Sequence, residues 1–375
     1  MLSIISEKIN SGERLTADEG LVLYQSNDLA LLASMALNVK QRASGNKVFF
    51  NRNFHIEPTN VCVFECNFCS YRRSAGQEGS WDYSIDEMLD ICRSYRGKPV
   101  SEVHIVGAVH PKHDLHFFVR LIEGVREILP EIHIKAFTAV ELDCMIRKAG
   151  LSIEAGLNLL KKAGLGSIPG GGAEIFNHSV RRKICGSKAP AQRWLDIHEI
   201  AHKIGLPSNA SMLYGHVETY ADRIDHLERL RNLQDRTAGF NAFIPLKYKS
   251  ANNAMNSIGE VNAIETLKNF AVCRLFLDNI PHIKSYWPML GKGLARMALE
   301  FGADDMDGTI DDSTKIYSMA GSDEISPAID LEQMTELIAE TGFIPIERDS
   351  LYGELKILED SGFQEPRIKT LRSQL

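Results

Sequence analysis

Apolar and polar positions along this chain alternate between two spacings. Short runs rich in Ile, Val, Phe and Thr read as strands: Phe49–Ile56, Glu102–Val106, Ile132–Thr138, Ser167–Pro169, Ser208–Tyr214, Asn241–Pro245 and Ile283–Trp287, with a short last one at Asp304–Thr309. Between them the spacing lengthens to that of a helix. Trp194, Ile197, Ala201 and Ile204 line one face before Gly205 and Pro207; Ile224, Leu227 and Leu230 follow a capping Thr219; Val261, Ile264, Leu267 and Ala271 repeat the pattern. Ser84-Ile-Asp-Glu87 is a capping box that opens a helix to about Tyr95. Repeated strand–helix units imply parallel strands with right-handed crossovers, so the predicted fold is α/β: a TIM-type (β/α) barrel, complete or nearly so, over residues 47–310. Residues 1–46 are expected as a helical segment, with a capping box at Thr16-Ala-Asp-Glu19 and a stop at Gly45. Residues 311–375 are expected as an extension packed on the barrel, with a helix near Leu331–Glu340 and then the run Gly342-Phe-Ile-Pro-Ile346.

Composition narrows the picture. The 375 residues are 44% hydrophobic and 24% charged, ordinary for a globular chain, and the formal charge of −7 comes with no basic block. Binding nucleic acid through its phosphates is therefore not expected. The start, Met1-Leu-Ser-Ile-Ile-Ser-Glu7, meets a charge too early for a signal-peptide core, and no window approaches the roughly 18 apolar residues of a membrane span. Four of the seven cysteines, Cys92, Cys144, Cys185 and Cys273, are scattered; this is no disulfide framework, and a reducing cytoplasm is the expected compartment.

The other three cysteines are clustered. Cys62-Val-Phe-Glu-Cys66-Asn-Phe-Cys69 follows the first strand and a Pro58-Thr59-Asn60 turn, and sets thiols at i, i+4 and i+7. Three sulfurs in eight residues can hold three corners of a [4Fe–4S] cubane, leaving the fourth iron open. Structural zinc is the competing reading. It is almost always four-coordinate, and no further Cys or His follows at a usual spacing.

A three-thiolate loop at the end of a first barrel strand resembles the radical S-adenosylmethionine (SAM) superfamily. The resemblance implies that the open iron is chelated by the amino and carboxylate groups of SAM, and that further site residues sit at the strand ends. Phe68 either shields the cluster or an adenine ring or packs the loop. Arg72 and Arg73 either face a carboxylate or lie exposed. Gly107-Ala-Val-His110-Pro111 stands where the superfamily lets backbone approach the methionine amino group, so Gly107 is a candidate contact and His110 a candidate site residue. Glu141 either meets a ribose hydroxyl or substrate, or caps a helix. Ile168-Pro-Gly-Gly-Gly-Ala-Glu174 lets backbone pass close to a ligand at Gly171 and Gly172, with Glu174 as an acceptor. Ser211-Met-Leu-Tyr-Gly215-His-Val-Glu218 fits the pattern that supports adenine, with His216 and Glu218 as contacts or as groups that orient the loop.

Within the superfamily, Phe54-His-Ile-Glu-Pro-Thr-Asn-Val-Cys62, Ile168–Ile175, Met212–Thr219 and Ala242-Phe-Ile-Pro245 are similar to a small group of futalosine-pathway and deazaflavin (F0) synthases. His282-Ile-Lys-Ser-Tyr-Trp287, Phe301–Thr309 and Lys315-Ile-Tyr317 resemble the aminofutalosine synthases among them. That resemblance implies radical addition of a 5′-deoxyadenosyl group to 3-[(1-carboxyvinyl)oxy]benzoate on the route to menaquinone, with a flavodoxin- or ferredoxin-type electron donor. A substrate with two carboxylates asks for cations, and Arg72, Arg73, His282 and Lys284 are the candidates. Lys284 and Tyr286 alternate on one strand face and are expected to point into the barrel, where Lys284 needs an anion: substrate, or Asp304 or Asp305. Trp287, on the other face, is expected to pack.

Overall fold

The computed structural model describes residues 2–310, 315–321 and 328–357. Seven strands follow the predicted order: β1 (Lys47–Ile56), β2 (Glu102–Ile105), β3 (His133–Ala136), β4 (Ser208–Tyr214), β5 (Phe240–Lys247), β6 (His282–Ile283) and β7 (Asp305–Ile310). All pairings among them are parallel, β3–β2–β1–β7 in one sheet and β4–β5–β6 in the other. Single bridges join the sheets on both sides: Lys135 to Ser167 and Ile168 to Ser208 at one gap, Lys284 to Asp305 at the other. The ladder therefore runs round a ring, the barrel that the repeated units predict.

Two predicted strands are shorter than expected. Ser167–Pro169 contributes only its two bridging residues, because Pro169 has no N–H and three glycines follow. The run from Ile283 to Trp287 stops at Ile283, and Trp287-Pro288 opens a short helix, Trp287–Leu290.

Alternation along the strands separates two environments. In β2, Val103 and Ile105 are fully buried, while Glu102 and His104 face the barrel interior. The outer layer is apolar: Phe54 of β1, for example, stacks on Tyr95 with ring centroids 3.9 Å apart. Residues 2–44 form three helices, Leu2–Ser11, Ala17–Gln25 and Leu29–Ser44; the second opens at the predicted capping box of Thr16 and the third ends at the predicted stop, Gly45. The second and third pack on the helix Ala263–Phe276, where the buried Tyr24 hydroxyl donates to Asn269 Oδ1 over 2.7 Å, and the first packs on those two.

The run after Gly342, expected to lie on the barrel, enters the sheet instead. Strand β8 (Ile344–Arg348) pairs in parallel with Lys47–Phe50, and β9 (Glu354–Ile357) returns antiparallel to it. The carbonyl of Asn46 accepts from Ile344 N–H, and those of Arg52 and Ile56 accept from Ser101 and Val106, so β8 extends the β2 edge of β1 below β2. From there Arg348, fully buried, reaches Asp305 on β7 at 2.6 Å, and Asp305 is equally buried. Removing one partner of such a pair strands the other charge. Arg348→Met should destabilise the protein by about 3–5 kcal/mol in urea unfolding; a change below about 1 kcal/mol, as for an exposed pair, would mean that this contact does not hold β8 in place.

Candidate active site

A cavity of about 310 Å³ opens where β1 to β6 end and reaches down between them to Glu102, Lys135, Lys284 and Asp307. Cys62, Cys66 and Cys69 form one side of it. Their loop is clamped by three separate segments. Val63 N–H donates to Val109 O at 2.9 Å, Asn67 N–H to Ile184 O at 2.8 Å, and Ser70 Oγ to Ala251 O at 2.6 Å. Cys69 N–H closes a turn onto Cys66 O at 3.1 Å. Burial pushes the Cys66 thiol up to about 12 and also raises that of Cys69, so thiolate character at this loop calls for a cation. Lys188 stands close by, its ammonium 5.2 Å from the centroid of the Phe68 ring and 2.5 Å from Glu174 Oε1.

Opposite the loop, Glu141 takes the helix-capping one of its two alternative readings and also lines the cavity. It caps the helix Ala139–Lys148, accepting from the backbone and hydroxyl of Thr138, each at 2.7 Å, and its other oxygen accepts from Gly107 N–H at 3.1 Å. Burial lifts its carboxyl to about 7 against those hydrogen bonds. Gly107 sits in tight space: a Cβ there would lie 3.0 Å from Thr59 O and 3.1 Å from Pro58 Cδ, so these neighbours would have to give way. In the glycine run, a Cβ on Gly170 would lie 2.6 Å from the backbone carbon of Ala210, and Gly171 and Gly172 abut Thr138 and Val140. Gly171, Gly172 and Glu174 all line the cavity, as do Phe68, Arg72, Gly107 and Glu141.

The floor is charged and paired. Lys135 lies 2.6 Å from Glu102, and Lys284 bonds Asp307 rather than the expected Asp304 or Asp305. Burial would raise both carboxyls, but the lysines outweigh it: Glu102 is held well below the usual range and Asp307 at about 2. Beside them His104 is driven down to about 3, mainly by burial, and stays neutral. Tyr286 lines the wall with Lys284, as strand alternation predicts, although the strand itself has ended.

Other expected residues stand away from the cavity. His282 sits at the far end of the barrel, stacked 3.7 Å above Tyr352 and bonded to Asp304 at 2.9 Å, outside the cavity lining. Arg73 turns back onto the carbonyls of Ser70 and Arg72. Glu218 accepts from the N–H groups of Gly215 and His216 and binds Arg223 at 2.8 Å; it shapes the loop after β4. His110 lies 3.4 Å from Asp82, with His113 3.1 Å from the same carboxylate. Lys112 N–H donates to His110 Nδ1, which puts the proton of the neutral ring on Nε2, facing Asp82. That is a hydrogen-bonded cluster outside the cavity. Trp287 packs as expected, fully buried with Nε1 on Gly308 O.

Sequence reasoning missed several lining residues. Glu102 and His104, Lys135, and Asn209 and Ser211 each interrupt a buried strand at alternate positions, a legible sign of a polar barrel interior. Lys247 and Lys249 lie at and beyond the end of β5, and Lys188 between the helices His178–Cys185 and Ala191–Lys203; none carries such a signal.

Comparison with known proteins now decides the family. Residues 56–230 match the Radical SAM superfamily, and residues 237–361 match the CofH/MqnC C-terminal region. The chain is 41% identical to aminodeoxyfutalosine synthase of Thermus thermophilus, covering 94% of this chain and 95% of that one. The chain belongs to the radical SAM superfamily. It is 39% identical to the Streptomyces coelicolor aminodeoxyfutalosine synthase (95% and 94% covered) and 33% identical to the cyclic dehypoxanthine futalosine synthase of that organism (96% and 90%). Among solved structures, methylornithine synthase superposes with a TM-score of 0.73 at 18% identity, covering 91% of this chain and 97% of the other, which supports the barrel. Radical SAM proteins use a [4Fe–4S] cluster and SAM, and the donor set fits: three thiols on one clamped loop, a glycine-walled cavity beside them, and Lys188 at the thiols. No helix among the described residues is long and apolar enough to cross a membrane.

Gly170→Ala forces the glycine run off β4 and breaks the 2.6 Å bond from Ser211 Oγ to Gly170 O. It should cost about 1–3 kcal/mol in thermal or urea unfolding and weaken SAM binding in calorimetric titration of the reconstituted enzyme. Unchanged SAM affinity would place this run outside the cofactor site.

Proposed function

We propose that the protein is an aminodeoxyfutalosine synthase. It joins the 5′-deoxyadenosyl group of SAM to the enol-ether carbon of 3-[(1-carboxyvinyl)oxy]benzoate, and aryl migration with loss of the carboxyl carbon gives 6-amino-6-deoxyfutalosine. The observation that carries this reading is the full-length similarity, 41% and 39% to two relatives of that name against 33% to the cyclic dehypoxanthine enzyme.

When bound, the cluster supplies the single electron that splits SAM. Cys62, Cys66 and Cys69 hold it on the clamped loop. Gly107, Gly171 and Gly172 let backbone approach SAM, and Phe68, Glu141, Glu174 and Lys188 frame the space around it. Val106, Val109, Val140, Leu213, Ile244, Leu246 and Met289 make the rest of the lining largely apolar, which keeps water from a reactive carbon. Six cationic side chains line the cavity against four carboxyl groups, Arg72, Lys135, Lys188, Lys247, Lys249 and Lys284 against Glu102, Glu141, Glu174 and Asp307, while Glu65 and Glu260 reach Arg72 and the Lys247–Lys249 pair from outside the lining. Lys284 and Tyr286 complete the floor. A flavodoxin- or ferredoxin-type donor in the cytoplasm completes the scheme.

The sibling reading keeps cluster and SAM but removes hydrogen from a different substrate, releasing free 5′-deoxyadenosine. Mass spectrometry of the anaerobically reconstituted protein with SAM, dithionite and the enol-ether benzoate separates the two. The expected product carries the adenosyl group, and Ser at any one of the three cysteines should abolish both the cluster absorbance and the product. Free 5′-deoxyadenosine without an adduct would overturn the proposal.

A further inference from the structure

Excess positive charge in the cavity is unevenly placed. On the floor, Lys135 with Glu102 and Lys284 with Asp307 cancel one for one, and Lys188 with Glu174 does the same at the cluster loop. Where β5 leaves the barrel the count changes. Lys247 and Lys249 share one carboxylate, each ammonium 3.1 Å from the same oxygen, Oε2 of Glu260. The other oxygen of Glu260 accepts from Ser250 N–H at 3.3 Å. The two lysine side chains are only 12% and 14% exposed, so bulk water screens them weakly, and both line the cavity. Two ammoniums, each with three donors, are thus held side by side on the cavity wall with one unit of positive charge uncompensated.

We propose that Lys247 and Lys249 form the carboxylate receptor of the cavity, with Glu260 fixing the spacing of the two ammoniums and a ligand carboxylate bridging them. The segment that follows is tied to the cluster loop through Ser70 Oγ to Ala251 O (2.6 Å) and Ala254 N–H to Asn67 O (2.9 Å), so a carboxylate seated here is held in register with the thiols. Both SAM and the enol-ether diacid carry a carboxylate; the second source rests on the function proposed above.

The test uses reconstituted holoenzyme of the wild type, K247M/K249M and E260Q, with KM and calorimetric affinity measured separately for SAM and for the diacid. The lysine double variant should raise KM and Kd for one of the two ligands about tenfold or more while kcat moves less than about twofold. The ligand affected identifies the carboxylate. E260Q removes the competing anion and should tighten the same ligand, an effect in the opposite direction that misfolding cannot mimic. Affinities for both ligands within about twofold of wild type in K247M/K249M would overturn the receptor, as would E260Q weakening binding as much as the lysine changes do. If the wild type fails to bind the diacid, the proposed function fails on its own, and the receptor is then decided by the SAM measurement.

Discussion

A charge taken out of water must meet its opposite, and that requirement organises the inside of this barrel. Many (β/α) barrels fill their interior with branched apolar side chains. Here Glu102, Lys135, Lys284, Asp305 and Asp307 project from the strands inside the ring, and Arg348 joins them from β8. Each is matched: Glu102 to Lys135 across β2 and β3, Lys284 to Asp307 across β6 and β7, and Arg348 to Asp305 across β8 and β7. Arg274 adds a fourth pair from the outer helix to Asp304, at 2.6 Å. Such pairs contribute little net stability, but they penalise alternatives. A one-residue slip of β7 would turn Asp305 and Asp307 outward and Asp304 inward, leaving Lys284 and Arg348 one carboxylate between them and Arg274 without its partner.

Much of this arrangement was legible in the chain and some was not, for reasons of distance and depth. The cluster loop could be read because its three thiols lie within eight residues, and the caps at Thr16, Ser84 and Thr219 because a capping box is local. The partner of Lys284 could not: Asp304, Asp305 and Asp307 lie within four residues, and only the register of β6 on β7, with Lys284 opposite Asp305, selects Asp307 two positions along. His282 shows the limit of parity arguments. It shares a face with Lys284 and Tyr286, but at ~3.3 Å per residue it stands more than 10 Å below Tyr286, at the closed end of the barrel. The run Gly342–Ile346 stood out as a unit after the helix near Leu331–Glu340, whereas its pairing as a strand with Lys47–Phe50, almost 300 residues earlier, was not visible.

Backbone strain marks the same wall. Phe137, Glu174 and Asp307 adopt φ of 61°, 50° and 67°, in the left-handed region that disfavours residues with a Cβ. For Phe137 and Glu174 this costs of order 1 kcal/mol or more, and it persists because the surroundings fix it. Phe137 N–H is bonded to Ile105 O while its ring is fully buried near Phe118, so the chain must twist to turn Thr138 and Glu141 toward the cavity. Glu174 accepts Leu213 N–H on its carbonyl at 2.8 Å, which sends its side chain to Lys188. Packing outside the barrel thus aims groups inside it.

The far side of the cavity is closed by an element that the barrel repeats do not provide. Glu57, just beyond β1, accepts the first two N–H groups of the helix Lys315–Met319, at 3.1 and 3.3 Å, and so places Ile316 and Ala320 on the cavity wall. At the other end of that helix Met319 O accepts from Asn252 Nδ2 at 3.0 Å, and Asn252 belongs to the stretch that also grips the cluster loop through Ala251 and Ala254. The mouth, the thiol loop and the end of β5 therefore share one hydrogen-bonded frame. A ligand bound there meets walls whose spacing is set from outside the cavity, which is how a reactive carbon can be held against its target without a neighbouring side chain intervening.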